Sequence, residues 1–484
     1  MFLSLFLCTV ALNDTESSQA ADDIKFTKIE SIPFNTLNVD LGPLKNLKST
    51  LDSILNKSSS AISKSSPIPA GNNEKDPNNY SVLVSVNKSS VLVEDAKGNI
   101  ISKRAAGSDD ASAIKEAINI IDQGTILCIG TFHINSPIDN LKSDICLSGV
   151  PGQTIFDCSK MKTDVFPCGC GGSGYAAMTT PLAEDAAKGS SVIKVSDASG
   201  YKEGDFVKLV DDESITGFKK GEIHRIQKVQ SKEIIFEDEL QDDYTVGNSA
   251  NIRRLNLSSD ITVNGIKFIG PGTETDLSLF GLFLLKNFRF VNNEVTDFGR
   301  AAIYLSDSLE SSIENNTFEN IFMTGLGYSV AVTNACNDIQ IRDNRFKVKG
   351  RHYITAGAGT GTRSSGGFAR NIKVINNTFE NCLQEAINSH PPFVGPIEII
   401  GNKFESCGKG IEISNGNTVI VDNDFINCPL GIQLLGDETR EHNIHSNEFK
   451  EYKEKILIET SNMTMYGNIC NGQFIVKRDE VEFL

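Results

Sequence analysis

Asn315-Asn316-Thr317-Phe318 returns along the chain as Asp343-Asn344-Arg345-Phe346, Asn376-Asn377-Thr378-Phe379, Gly401-Asn402-Lys403-Phe404, Asp422-Asn423-Asp424-Phe425 and Ser446-Asn447-Glu448-Phe449. Weaker copies flank it at Gly265-Ile266-Lys267-Phe268, Asn292-Asn293-Glu294-Val295 and Gly467-Asn468-Ile469-Cys470. The phrase recurs every 21 to 33 residues. Self-similarity at such a period marks a solenoid, whose repeats bury their apolar sides only against their neighbours. Before each phrase the residues alternate, as in Ile339-Gln340-Ile341 and Val419-Ile420-Val421, with β-branched side chains at a period of two. A second short strand follows it, as in Gly410-Ile411-Glu412-Ile413 and Gly431-Ile432-Gln433-Leu434. Nothing in the repeat carries a helix-length run at the helical period, so each repeat reads as a coil of short strands.

The Asn two places before the Phe is expected to serve twice. Asn tolerates the left-handed backbone of a tight turn, and its amide can bond to the same amide one coil above. An inward Asn ladder beside an inward Phe ladder follows. This pattern resembles the right-handed parallel β-helix of the pectate-lyase-like superfamily over about residues 107–475. The fold class is therefore all-β, with an N-terminal capping helix and a small inserted β-subdomain. The superfamily carries lyases, hydrolases, epimerases, viral tailspikes and adhesins, so the scaffold alone does not name an activity.

With 62 acidic against 46 basic side chains, a formal charge of −16, the chain lacks the basic footprint that phosphate binding needs, and no nucleic-acid partner is expected. Tryptophan is absent, which leaves Ile, Val, Leu and stacked Phe to build the core. Residues 2–12 form an apolar run too short to span a membrane, and residues 1–21 read as a signal peptide, although no Lys or Arg precedes the run. A secreted or cell-surface location is expected, with no transmembrane segment beyond that signal. Eleven cysteines is an odd count, so at least one has no partner within the chain. Cys382, Cys407 and Cys428 each fall three residues after a repeat Phe and are expected to stack as buried thiols. Cys168 and Cys170 could pair with each other or with Cys158.

Residues 22–106 read as a leader and linker that ends in a β-hairpin, with Val82, Val84, Val86, Val91 and Val93 alternating ahead of a Lys97-Gly98-Asn99 turn. Residues 107–173 hold a capping helix, with Ser108 or Asp109 as its N-cap, and the first coils. Over 174–254 the repeat gives way to an inserted β-subdomain, and 255–484 form the main β-helix.

The repeat register aligns Ile303, Val330, Ile354, Ile387, Ile411 and Ile432 as inward residues. One residue further on, the outward stack is Tyr304, Ala331, Thr355, Asn388, Glu412 and Gln433. Two residues before, Tyr328, His352, Glu385 and Lys409 stack on successive rungs, with Arg351 at the edge and His390 nearby. Strict alternation would turn that column inward; its charges suggest instead that the strand begins after it. The resemblance implies that this strand lines the substrate groove, as in polygalacturonase-like enzymes. The Gly-rich stretch 357–370 adds a loop at the same coil.

Several chemistries fit these residues. In a uronate lyase or epimerase, His352 or Lys409 removes the proton beside a carboxylate that Arg351 neutralises, with His390 beside them. In a glycosidase, Glu385 and Glu412 act as acid and base, their backbones roughly 11 Å apart. Tyr304, Tyr328, Thr355, Asn388 and Gln433 are the candidate substrate-binding residues. No cofactor is required, although calcium could be held by Glu385 and Glu412, since carboxylate oxygens suit it. The polygalacturonase elements Asn-Thr-Asp, Gly-His-Gly and Arg-Ile-Lys have no match at these coils, nor does the Arg-x-Pro segment of pectate lyases. The expectation is an exported protein acting on an anionic polysaccharide, with lyase or epimerase chemistry ahead of hydrolysis. The alternatives are a surface adhesin that binds glycans along the same face, and a solvated ladder of ion pairs with no ligand.

Overall fold

The computed structural model describes residues 79–483, apart from 168–173, 216–217, 358–365, 391–394, 415, 437–440, 451–455, 459–462, 471–474 and 477–481. The expected signal and linker to residue 78, Cys168 and Cys170, and the centre of the Gly-rich loop lie outside the described residues.

Two of the three faces of the solenoid belong to one continuous 26-stranded sheet; the third is a nine-stranded parallel sheet running from Ser278–Phe283 through Ala301–Ser306, Tyr328–Thr333, His352–Gly357, Glu385–Ser389, Lys409–Ser414 and Leu430–Leu435 to Ile456–Ile458 and Ile475–Val476. Its register pairs Ile303 with Val330, Val330 with Ile354, Ile354 with Ile387, Ile387 with Ile411 and Ile411 with Ile432, all of them buried. β-Branched residues fit here because each inward side chain meets its counterpart one rung away.

The turn chemistry is divided between two adjacent positions, where the sequence pattern suggests one. Left-handed backbone falls on the first residue of the phrase, at Asn315 (φ 54°), Asp343 (57°), Asn376 (55°), Gly401 (67°), Asp422 (54°) and Ser446 (58°). Glycine, Asn, Asp and Ser alternate there because this position needs only that conformation. The second residue is the invariant Asn of the six copies, and it makes the ladder. Asn316, Asn344, Asn377, Asn402, Asn423 and Asn447 each accept, on Oδ1, the backbone N–H of the Asn one coil earlier at 2.8–3.0 Å. Each also donates from Nδ2 to a carbonyl of the preceding coil at 2.8 Å. Beside them the rings of Phe318, Phe346, Phe379, Phe404, Phe425 and Phe449 stack with centroids 4.7–5.1 Å apart, the spacing that the rungs impose.

Cys382, Cys407 and Cys428 lie buried on successive coils with free thiols, and Cys158 is likewise buried and free. Cys382 donates to the carbonyl of Arg351 at 3.3 Å.

At the N-terminal end the expected hairpin is a three-stranded antiparallel meander, Val82–Asn87, Ser90–Asp95 and Ile100–Ala105. The Lys97-Gly98-Asn99 turn joins its second and third strands, where Asp95 Oδ1 accepts the N–H groups of Lys97 and Asn99. The first strand also pairs in parallel with Gly124–His133, which extends the solenoid's own sheet. The helix Ala111–Ile120 buries Ala113, Ile114, Ala117 and Ile118. Its N-cap is Asp110, not Ser108 or Asp109. Asp110 turns away from the helix, accepting the N–H of Gly107 and of His133, while Asp109 accepts from Ala111 and Asn135. These carboxylates tie the helix start to the first coil, a tertiary demand that local capping patterns do not contain.

Between Gly174 and Asn256 a six-stranded sheet interrupts the solenoid, with its own core around Val207, Leu209, Ile226, Phe236, Tyr244 and Ile252. Lys208 of this unit and Asp307 of the solenoid form a fully buried ion pair at 2.6 Å. Arg370, the last residue of the Gly-rich stretch, pairs with Asp242, and the N–H of Gly367 donates to the Lys219 carbonyl at 2.8 Å.

Candidate functional site

The column expected to precede the strand is instead its first residue: the strands begin at Tyr328, His352, Glu385 and Lys409. These side chains face outward because the two residues after them both turn inward. Tyr353 packs against the rings of Phe346 and Phe379 while its neighbour Ile354 enters the same core. Ala386 and Ile387 repeat this pattern. At Gly410 a Cβ would lie 2.5 Å from the ring of Phe425. One break in alternation, propagated through the coils by their register, thus places polar side chains outside a core that never opens.

A cavity of about 500 Å³ is lined by Arg351, His352, Glu385, Asn388, His390, Lys409 and Glu412, together with Leu383, Gln384, Ser389 and Gly408. At its centre His352 Nδ1 lies 3.0 Å from Glu385 Oε2 and 3.2 Å from the Glu385 carbonyl. The other ring nitrogen, Nε2, is buried without a partner among the described residues, in a residue only 2% exposed. Tyr328 stacks on one face of this ring at 5.9 Å, and His390 meets it edge to face at 5.3 Å. Burial raises the Glu385 carboxyl, but the hydrogen bond and charge of His352 and the ammonium of Lys409 outweigh it and hold the group down at about 2. His390 is pushed down to about 4, first by burial and then by the charges of His352 and Arg351, and among the described residues its Nε2 also lacks a partner. Burial lifts the Tyr328 hydroxyl above its usual range despite the neighbouring Arg351.

Lys409 Nζ sits 3.2 Å from Glu385 Oε1 and donates to Glu412 Oε2 and Gln433 Oε1. Asn388 donates to Glu412 Oε1 at 3.1 Å, and its own Oδ1 is buried and has no partner among the described residues. The two carboxylates considered as calcium ligands are therefore bridged by an ammonium. Arg351 donates to the Gly325 carbonyl at 2.6 Å, to the Tyr328 hydroxyl at 3.0 Å and to Gln384 Oε1 at 3.1 Å, all uncharged groups.

Thr355 aligns with Asn388 and Ala331 as expected, but it is buried and its hydroxyl has no partner among the described residues. Tyr304 lies two rungs from Thr355, half-buried and outside the cavity. Leu383, Gln384 and Gly408 escape a reading confined to strand positions, since they precede the strands. The signal that could have found Gln384 is its place directly before Glu385, one coil beyond Arg351.

This geometry defines a polar groove on one flank of a parallel β-helix. The model of the family described as "Right handed beta helix region" matches residues 282–449, the coils that build the groove. The chain folds as a right-handed parallel β-helix, and residues 282–449 carry that family's pattern. Among curated proteins, it is similar to a capsule K1-specific depolymerase of Klebsiella phage K64-1, at 27% identity over 104 residues; the match spans 20% of this chain and 12% of that protein's length. Among solved structures, it is similar to the Gp54 tailspike of Acinetobacter baumannii bacteriophage AP22, at 12% identity and a TM-score of 0.48, covering 75% of this chain and 74% of that one. A polygalacturonase from Erwinia carotovora is also similar, at 12% identity and a TM-score of 0.46, covering 79% and 95%. Among the described residues, no helix is long and apolar enough to cross a membrane.

Proposed function

We propose that the groove removes the proton beside the carboxylate of an acidic sugar in an extracellular polysaccharide, as a lyase or an epimerase does. One observation carries the reading. His352 hands Nδ1–H to an ionised Glu385 and, among the described residues, keeps Nε2 buried and unbonded, next to an arginine that has no carboxylate partner. In the neutral form of His352 that this reading requires, Glu385 holds the tautomer whose Nε2 lone pair is free; once the proton has moved, Glu385 stabilises the imidazolium, the charged form whose field also holds the Glu385 and His390 values down. Arg351 neutralises the sugar carboxylate and takes up the charge that develops on it as the α-proton leaves. In β-elimination the bond to the leaving oxygen breaks, a double bond forms to the deprotonated carbon and the proton passes from the imidazolium to that oxygen; in epimerisation water supplies a proton to the opposite face of the same carbon, and the imidazolium gives its own proton up to solvent. His390, with its pKa near 4, stays neutral above that pH and walls the reacting ring on its edge.

Lys409 serves in this reading as a positioning cation and not as the base, since its N–H groups are directed at three acceptors. Glu385 and Glu412 are its partners in this reading. A glycosidase acid must carry a proton near neutral pH, and Glu385, held at about 2, does not. The convergence of His352, Glu385 and His390 on one open groove favours catalysis over simple glycan binding. The likeness to a capsule depolymerase supports a polysaccharide substrate and a location outside the cell.

The test is the ultraviolet absorbance of unsaturated uronate product, with proton exchange at the same carbon followed by NMR, on a panel of uronate-containing and neutral polysaccharides. Activity that His352→Ala abolishes is the expected result. A panel that yields neither product nor exchange, while reducing ends appear or the polymer is merely bound, overturns the reading.

A further inference from the structure

The His352 imidazole is fixed on one wall of the groove. Tyr328 stacks on its face at 5.9 Å, His390 meets it at 5.3 Å, and Glu385 Oε2 holds its Nδ1 at 3.0 Å, in a residue only 2% exposed. A ring pinned by three neighbours does not swing round a bound sugar, so Nε2 serves only the face of the sugar that is turned toward it. The other groups of the groove stand on the same side. The lining residues belong to three successive strands of one sheet, beginning at His352, Glu385 and Lys409, and to the residues that flank them. Tyr328, one rung earlier, carries its hydroxyl on this wall too, where it accepts an N–H of Arg351 at 3.0 Å.

That placement restricts what the abstracted proton can do next. In β-elimination from a 4-linked uronate, Nε2 takes the proton from C5, the freed electron pair becomes the double bond between C4 and C5, and the C4–O4 bond breaks. The imidazolium gives its proton to O4, which leaves as the terminal hydroxyl of the departing chain, and His352 is neutral again. A proton carried by one fixed nitrogen reaches O4 only when O4 and the C5 proton lie on the same face of the sugar. When they lie on opposite faces, the sugar ring itself stands between the imidazolium and the oxygen. Epimerisation asks for a donor across the ring from the base, and among the described residues the proton carriers that line the groove are on the base's own side.

We propose that the groove performs a syn elimination, and that its substrate is a 4-linked uronate with O4 and the C5 proton on one face, the arrangement found in glucuronate and mannuronate. Galacturonate, guluronate and iduronate place the two on opposite faces and fall outside this class. This deepens the proton-abstraction reading and rests on it.

The experiment follows unsaturated product by absorbance, and proton exchange at C5 by NMR, with the wild-type protein on four 4-linked polymers: polyglucuronate, polymannuronate, polygalacturonate and polyguluronate. The expected result is product from polyglucuronate or polymannuronate at least about a hundredfold faster than from either of the other two, since misplacing a reacting atom by about 1 Å already costs that much. A smaller ratio, or faster product from polygalacturonate or polyguluronate, overturns this inference alone. So does exchange at C5 without unsaturated product, because a base then still removes the proton. No product and no exchange on any of the four polymers overturns the proton-abstraction reading, and this inference with it.

Discussion

Asn377→Ala is expected to destabilise the solenoid far more than Asn376→Ala next to it. The Asn377 side chain accepts the backbone N–H of Asn344 at 2.9 Å and its Nδ2 at 3.0 Å, and donates to the Ile341 carbonyl at 2.8 Å and to Asn402 Oδ1 at 3.0 Å. Asn402 Oδ1 retains the backbone N–H of Asn377 at 2.8 Å. The N–H of Asn344 and the carbonyl of Ile341 lose this partner where Asn344 and Asn377 are 2% and 1% exposed. At about 1–3 kcal/mol for each orphaned buried group, the two together cost about 2–6 kcal/mol. Asn376 contributes chiefly a backbone with φ of 55°, whose left-handed conformation costs an Ala about 1–2 kcal/mol. Urea denaturation followed by circular dichroism separates the two variants. Equal losses would refute the division of labour between the turn residue and the ladder residue.

The remaining predictions concern the groove. Glu385→Gln removes the charge that orients His352 and is expected to lower kcat by about 10²–10⁴ with little change in KM; steady-state kinetics check it, and a rise in KM alone would contradict a role through the base. Glu385 has a folded pKa near 2 against an ordinary 4.5, so its contribution to stability is complete above 4.5 and fades as the pH falls toward 2. Acid titration of the melting temperature should show that slope flattened in Glu385→Gln. Because Lys409 bridges Glu385 and Glu412, a chelator such as EDTA is expected to leave turnover unchanged, and a loss that calcium restores would show that these carboxylates, or others, hold a metal.

Much of the architecture is legible in the chain because a solenoid repeats its local problem. Each coil must turn, satisfy the buried amides of its neighbour and fill a fixed volume, so the same residue types return at the same places. The inward Ile and Val column and the Phe ladder follow from that necessity. The division of the turn between Asn315 and Asn316 does not, because Asn is suited to both tasks and a residue type cannot reveal which of two reasons selected it. Tyr353 is comparable: an aromatic beside an inward Ile reads as outward under strict alternation, and only its packing between Phe346 and Phe379 shows otherwise.

By itself the sequence determined the parallel coil, its register, and the stacking of His352, Glu385 and Lys409 on neighbouring rungs, since these depend on periodicity alone. Only the tertiary structure decided that this column opens the strand instead of preceding it, that Glu385 pairs with His352 while Lys409 bridges two carboxylates, and that Arg351 is left with neutral partners among the described residues. Side-chain direction and ion pairing depend on ångström-scale packing between coils that lie two dozen or more residues apart, and a linear pattern does not carry that information.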